Sequence, residues 1–401
     1  MSTAANLPSA ATPGPKSNGN PPLNLFVLID ALGWQVLKDQ PFLSSELPYR
    51  TPLKTVLGYS SGAIPTILTG LAPAQSGRWN LLYYDPINSP FSWLRWASFL
   101  PQRLLDNRYS RKLIKELGRR ALGMGPLFEC VVSPQLLPWF NWVEKENIYK
   151  AGGIAEAKSI FDVLQERQLQ YRVYSYHNYS DAQIIARASR DMRESGASFY
   201  FLYLSEIDRF LHANRQDHSA ISKTLAWYNA RLRELFVVAE EIDPRAHFVV
   251  MSDHGMTAVH SRYDLVGKIE KLGLKMPKDY LSVYDSTMAR FWIYNDAARR
   301  AIVGELERTP CGRILDDAEL EQLGVFFSDR RYGELVFLLD PGWLFARSDF
   351  NGGGWQPSGM HGYHPADPDS DAIFLSNWRP NHRIETIADL FSCLQQALER
   401  Q

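Results

Sequence analysis

The chain has 401 residues, 45% of them hydrophobic, and a formal net charge of −1. That length supports one large α/β domain with insertions or two smaller domains, and so small a charge excludes a global field that recruits a nucleic-acid duplex. Cys130, Cys311 and Cys393 are too few and too far apart for a disulfide framework or a zinc ribbon, and no apolar run approaches membrane-spanning length.

Residues 1–22 are rich in Ala, Ser, Pro, Gly and Asn and lack the apolar core of a signal peptide. The expectation is a disordered tail on a cytoplasmic protein, consistent with the sparse cysteines. Residues 23–401 read as one α/β domain, interrupted by insertions at about 84–150 and about 285–350.

Leu23 to Asp30 is predicted as the first strand, apolar up to a terminal carboxylate, with Gly33 permitting a tight exit. An Asp at a strand's carboxyl end suits a metal or phosphate site, and equally a turn. Gly62 to Leu68 reads as helix, with Pro65 tolerable in a first turn. Ser60 and Ser61 then sit at a helix N-terminus, where free N–H groups and the dipole favour an anion or an alkoxide. A plain N-cap serine fits the same place.

Residues 84–150 lack strong strand character. Within them, Trp93, Trp96, Phe99 and Leu100 accompany Arg95, Arg103, Arg108, Arg111, Lys112, Lys115, Arg119 and Arg120, opposed by Asp106 and Glu116. This is a basic amphipathic face for a phosphate-rich or membrane-surface partner, or a solvated helical cap.

Helix is predicted over 154–167, a strand over 171–175, helix over 182–194 and an aromatic strand over 198–204. Asp208 and His212 follow directly, four residues apart, and share a face if the segment is helical. A long helix, 221–241, leads into Phe248 to Met251, a β-branched run that reads as a buried parallel strand. It ends in Ser252, Asp253, His254 and Gly255. Ligands in open α/β sheets sit just beyond the carboxyl ends of the strands. An Asp and a His there offer an oxygen and a nitrogen to one metal ion, or serve as a cap and a surface residue. Residues 290–339 read as a compact α+β insertion, with strands over 291–294 and 334–339 and helices over 297–308 and 317–323. A Gly-rich connection at 351–354 precedes His361 and His364; a strand over 371–375 and a helix over 384–400 close the chain. His177, His218, His247, His260 and His382 read as ordinary surface or core residues.

In this order, the blocks resemble the alkaline phosphatase superfamily, and most of all its nucleotide pyrophosphatase/phosphodiesterase branch. They are Asp30 after the first strand, Ser60 ten residues before Gly70, Asn80 with Tyr84-Asp85-Pro86, Asp208 with His212, Ser252 to Met256, and His361-Gly362-Tyr363. The resemblance spans residues 25–375. It implies a three-layer α/β/α fold with a largely parallel central sheet plus cap insertions. It implies a site for two divalent metal ions, one held by Asp30, Ser60, Asp253 and His254, the other by Asp208, His212 and His361. The spacing selects Ser60 as nucleophile; Ser61, Asn80 and Tyr84 become substrate contacts. Mixed imidazole and carboxylate ligands favour Zn2+.

The implied reaction is hydrolysis of phosphodiester or pyrophosphate bonds through a phosphoseryl intermediate. The substrate is then a phosphorylated small molecule or a lipid-linked one, and the basic insertion points to more negative charge than a simple phosphate ester carries. The branch usually has Thr, Asn and Asp where this chain has Ser60, Ala63 and His364. Those departures keep a phosphomonoesterase as the alternative, with a catalytically inactive phospho-ligand scaffold behind it.

Overall fold

Asn24–Ile29, Phe199–Leu204 and His247–Met251 are strands in which every residue is buried, as near-continuous apolar runs require. The computed structural model describes residues 21–97, 107–122, 132–175, 179–350 and 355–399. All but the last two residues of the expected tail lie outside it, as do Phe99, Leu100, Arg103, Asp106, Cys130, His177 and the Gly-rich 351–354.

The three strands pair in parallel with Asn24–Ile29 in the middle; Leu28 lies opposite Tyr203 on one side and Met251 on the other. Tyr171–Tyr174 extends the sheet in parallel beyond Phe199–Leu204. On the opposite side Ala372–Ser376 runs antiparallel, and Tyr49–Leu53 forms the edge. The six-stranded sheet is therefore parallel except for one strand. Side chains alternate across it. Leu25, Val27 and Ile29 join a core under helices Asp181–Glu194 and His218–Ile242. Phe26 and Leu28 join another under Ser60–Thr69, Ile160–Glu166 and Leu390–Glu399. This is the three-layer α/β arrangement, and its register brings three strands to a common level: the Asp30 N–H donates to the Leu204 carbonyl at 2.9 Å.

Several boundaries differ from expectation. The serine helix begins at Ser60, so Pro65 stands in its second turn and not its first. Pro65 removes the donor that would meet the Ser61 carbonyl. Thr69 Oγ1 donates to the Pro65 carbonyl at 2.7 Å and Thr66 Oγ1 to that of Gly62 at 3.1 Å, tying side chains into the same helix. The helix expected from 154 begins at Ile160, where Ser159 and Asp162 form a capping box. The closing helix spans Leu390–Glu399, after a short 3-10 turn at Ile387–Asp389. Residues 84–150 do contribute a strand: Phe140–Trp142 pairs antiparallel with Leu82–Tyr84.

The later insertion is a four-stranded antiparallel sheet of Tyr280–Tyr284, Met288–Ile293, Leu335–Leu339 and Gly312–Leu315, flanked by helices Asp296–Glu307 and Asp317–Gln322. Fully buried Arg290 anchors it. Its Nε donates to Asp285 at 2.8 Å, and its Nη1 donates at 2.8 Å to the carbonyl of Leu82, on the strand Leu82–Tyr84 that leads into the first insertion. Burial pushes the Asp285 carboxyl up and the guanidinium only partly offsets this. Such a pair adds little net stability, yet removing one partner strands a buried charge. Asp285→Ala is therefore expected to lower unfolding free energy by about 3–5 kcal/mol, and the apolar double substitution Asp285→Leu with Arg290→Met by clearly less. Urea denaturation of the two variants checks the ranking.

Candidate metal centre

Beyond the carboxyl ends of the central strands lie two clusters of ligand-type side chains. Asp30, Asp253 and His254 form one, and Asp208, His212 and His361 the other; within each, one ligand atom per residue lies within 4.8 Å of the rest. Asp30 leaves the first strand directly, and Asp253 and His254 follow the strand His247–Met251. Asp208 and His212 occupy successive turns of helix Glu206–Asn214, which places His212 Nε2 3.4 Å from Asp208 Oδ1. His361 arrives from the far end of the chain, its Nε2 3.6 Å from the same oxygen. The His254 and His361 rings stack at 3.9 Å between centroids, so the two clusters touch. Ser60 Oγ lies 3.0 Å from His254 Nε2.

Backbone groups orient the imidazoles. His212 Nδ1 faces the Gly359 carbonyl and His254 Nδ1 the Gly255 carbonyl, both at 2.9 Å. A carbonyl only accepts, so each Nδ1 carries the proton and each Nε2 turns a lone pair to the carboxylates, the tautomer a metal ligand needs. Close packing fixes the loops. Gly33 has an ordinary φ of −75°, and space is what its position demands: a Cβ there would sit 2.6 Å from Gly255 Cα. Gly362, next to His361, has φ +90°, and a Cβ there would meet the Tyr59 ring at 2.7 Å.

The clusters are incomplete as charge arrangements. Asp30 Oδ1, Asp208 Oδ1, Asp253 Oδ2 and His361 Nδ1 are buried without a hydrogen-bond partner. Burial, then the charges of Asp253 and Asp208, pushes the Asp30 carboxyl well above the usual carboxylate range. Burial also raises Asp208, against the pull of His212 and His254. Burial and the neighbouring His254 and His212 hold the His361 imidazole well below its ordinary value. Carboxylates and imidazoles that converge with unsatisfied polar atoms fit divalent cations.

The second oxygens are engaged. Tyr203 OH donates to Asp30 Oδ2 at 2.5 Å. Asp253 Oδ1 accepts from the His254 N–H at 3.1 Å and from the Ala31 N–H at 3.2 Å, with Ala31 held at φ +59°. Buried Asp181 caps the helix that carries Asp208, accepting from the Ser205 and Glu206 N–H groups at 3.0 and 3.1 Å. Tyr228 OH donates to the same carboxylate. No local pattern marks Asp181 as a cap for a helix 25 residues on.

Other positions separate. The Ser61 hydroxyl donates to the Trp79 carbonyl at 2.9 Å, whereas Ser60 faces the ligands. Asn80 is fully buried; its Oδ1 lacks a partner and its Nδ2 meets only Met288 Sδ, at 3.5 Å. Tyr84 packs in the cap against Phe140 and Trp292, not among the ligands. His364 turns to the cap helix, its Nε2 3.2 Å from Glu319 Oε1. Residues the motifs did not mark include Tyr59, whose ring meets His361 edge-on at 5.4 Å, and Thr287, whose Oγ1 lies 3.0 Å from Tyr59 OH and donates to the Gly362 carbonyl at 2.9 Å. Trp355 places its ring against His212 at 5.1 Å.

The type I phosphodiesterase / nucleotide pyrophosphatase family model matches residues 25–364. No curated protein sequence matches the chain significantly. Among solved structures, the chain is similar to human ectonucleotide pyrophosphatase / phosphodiesterase 5, with TM-score 0.67, 15% identity and 95% of each chain covered. The murine counterpart gives TM-score 0.67 at 17% identity, again over 95% of each chain. An inactive variant of the murine protein in complex with AMP gives TM-score 0.67 at 18% identity, covering 95% of this chain and 96% of that one.

The unpartnered carboxylates predict opposite effects with and without ions. Asp30→Asn removes one of the crowded charges while its side-chain oxygen can still accept from Tyr203. The metal-free variant is expected to be more stable than the parent at neutral pH, by on the order of 1 kcal/mol. Because the folded pKa of Asp30 is raised, its ionisation costs the metal-free protein stability as pH rises above the ordinary carboxylate range. The gap between variant and parent therefore closes on acidification. Added Zn2+ should raise the parent's Tm far more than the variant's; calorimetry in chelator and in zinc reads both effects.

Proposed function

Since the chain belongs to the type I phosphodiesterase / nucleotide pyrophosphatase family, a family of metal-dependent hydrolases, we propose that it cleaves phosphodiester or pyrophosphate bonds through a phosphoseryl intermediate on Ser60. Asp30, Ser60, Asp253 and His254 hold one divalent ion, and Asp208, His212 and His361 hold a second. The mixed imidazole and carboxylate donors suit Zn2+. Bound ions of this kind lower the pKa of a coordinated hydroxyl and stabilise charge on phosphoryl oxygens.

The observation that carries this reading is the contrast between adjacent serines. Ser60 Oγ points at His254, where the two ligand clusters meet, while the Ser61 hydroxyl is spent on the Trp79 carbonyl. Ser60 also opens helix Ser60–Thr69; the Gly62 and Ala63 N–H groups bond the Tyr59 carbonyl, which leaves those of Ser60 and Ser61 without an intrahelical acceptor. A phosphoryl group approaching Ser60 meets those N–H groups, Ser61's among them. Ser60 Oγ attacks phosphorus as the bond to the leaving-group oxygen breaks; water then cleaves the Ser60–phosphate bond, restores the hydroxyl and releases the phosphorylated product. Asn80, with unspent hydrogen-bonding capacity, is a polar contact for the substrate. The bound AMP in the murine relative supports a nucleotide-type substrate here.

Ser60→Ala is expected to abolish turnover while ions remain bound, whereas Ser61→Ala, which loses one neutral hydrogen bond, should cost roughly fivefold. Rates on bis(p-nitrophenyl) phosphate and on p-nitrophenyl phosphate, with bound metal quantified in each variant, provide the measurement. The reverse ranking would transfer the nucleophile to Ser61, and faster monoester than diester cleavage would make the enzyme a phosphomonoesterase.

A further inference from the structure

We propose that the first insertion docks the protein on an anionic lipid bilayer. The 3-10 segment Ser92–Ala97 and helix Arg108–Ala121 belong to one cap, because Phe91, Leu94 and Ile114 share a single apolar cluster with Leu82, Phe140 and Trp142. That cluster consumes the inward side chains. The outer surface keeps large apolar groups in solvent: Trp96 is 84% exposed, Tyr109 75% and Leu113 70%, with Ile87 and Trp93 exposed nearby in the chain.

The helix is ordered as two outer stripes. Tyr109 and Leu113 stand one turn apart on one; Arg108, Lys112, Lys115 and Arg119 follow the same spacing on the next. Between 107 and 122 six Lys or Arg face one acid, Glu116, in a chain of net charge −1. Arg119 and Arg120 approach Glu116, and Arg111 acts on half-buried Asp349, whereas Arg108 and Lys112 are exposed cations of this face.

Exposed Trp, Tyr and Leu beside Lys and Arg match the layered chemistry of a bilayer surface, where rings enter the headgroup boundary and cations meet anionic headgroups. A second copy of this chain on the same face would set two basic stripes against each other. An acidic protein would match the charge but leave the exposure of Trp96 and Leu113 without a purpose. Among the described residues no helix is long and apolar enough to cross a membrane, so the contact is peripheral.

The test uses the full chain and phosphatidylcholine vesicles with and without phosphatidylserine, in a sedimentation assay at low and physiological salt. The protein is expected to bind the anionic vesicles, and less at higher salt. Each basic residue near an anionic leaflet contributes about fivefold to partitioning, so Arg108→Gln with Lys112→Gln should weaken binding about 25-fold. Trp96→Ser with Leu113→Ser should weaken it as well, since the rings and aliphatic chain enter the boundary. Hydrolysis of a soluble ester, unchanged in both variants, shows that they are folded. No binding to anionic vesicles, or binding indifferent to both pairs of substitutions, overturns the proposal. So does a dimer in sedimentation velocity that Trp96→Ser dissolves, which would place a second copy on this face. Tight binding of poly-glutamate that ignores Trp96 and Leu113 would place an acidic polypeptide there.

Discussion

A buried carboxylate oxygen without a partner is among the costliest groups a fold can carry, and three carboxylates within reach of one another, those of buried Asp30 and Asp253 and half-buried Asp208, each hold one. Asp30, Asp208 and Asp253 each leave one oxygen unsatisfied, in a place that the central sheet, the serine helix and the His361 loop all help to enclose. The rest of the architecture is arranged to tolerate that cost. Tyr203 and two backbone N–H groups bind the other oxygens of Asp30 and Asp253. The stack of His254 on His361, 3.9 Å between centroids, joins the two clusters. The unsatisfied oxygens are where the fold gives up stability, and they coincide with the candidate cation site.

The caps participate in that arrangement and do not merely cover it. Thr287, in the four-stranded insertion, bridges Tyr59 and the Gly362 carbonyl. Tyr59 precedes the serine helix and Gly362 follows His361, so one threonine couples the start of that helix to the His361 loop. Arg290, on the next strand of that insertion, reaches the Leu82 carbonyl and so couples it to the strand that leads into the first insertion. A disturbance of the cap sheet is therefore transmitted to the ligand loop through hydrogen bonds that can be named.

Much of this was legible in the residues. Strands that end in Asp or Ser-Asp-His, and the Asp208–His212 spacing, carry their chemistry in local pattern, and the structure gathers them beyond the carboxyl ends of the central strands. The buried run Phe199–Leu204 and its parallel neighbours were equally readable, because burial on both faces demands continuous apolar sequence. What was not legible depends on distant partners. Tyr49–Leu53 is an edge strand with mostly half-buried residues, so it lacks that apolar signal. Thr287 and Asp181 are unremarkable in sequence; their importance comes from Tyr59 and Gly362 in one case, and from Ser205 and Glu206 in the other. Tyr84, which the motif resemblance offers as a substrate contact, packs its ring on Phe140 and Trp292.

Neither ligand cluster can be assembled from a contiguous fragment. Asp30 meets Asp253 only when Asn24–Ile29 pairs with His247–Met251, and Asp208 meets His361 only when the loop after the second insertion returns to the carboxyl ends of the strands. Contacts of this sequence separation are costly to close and form late relative to local helices. The same separation makes the site cooperative in the native state. Loosening the Asn24–Ile29 pairing with His247–Met251 moves Asp30 against Asp253, whereas loosening the cap releases His361 from Asp208. Two independent parts of the fold therefore control the two clusters, and the ring stack between His254 and His361 is where their movements meet.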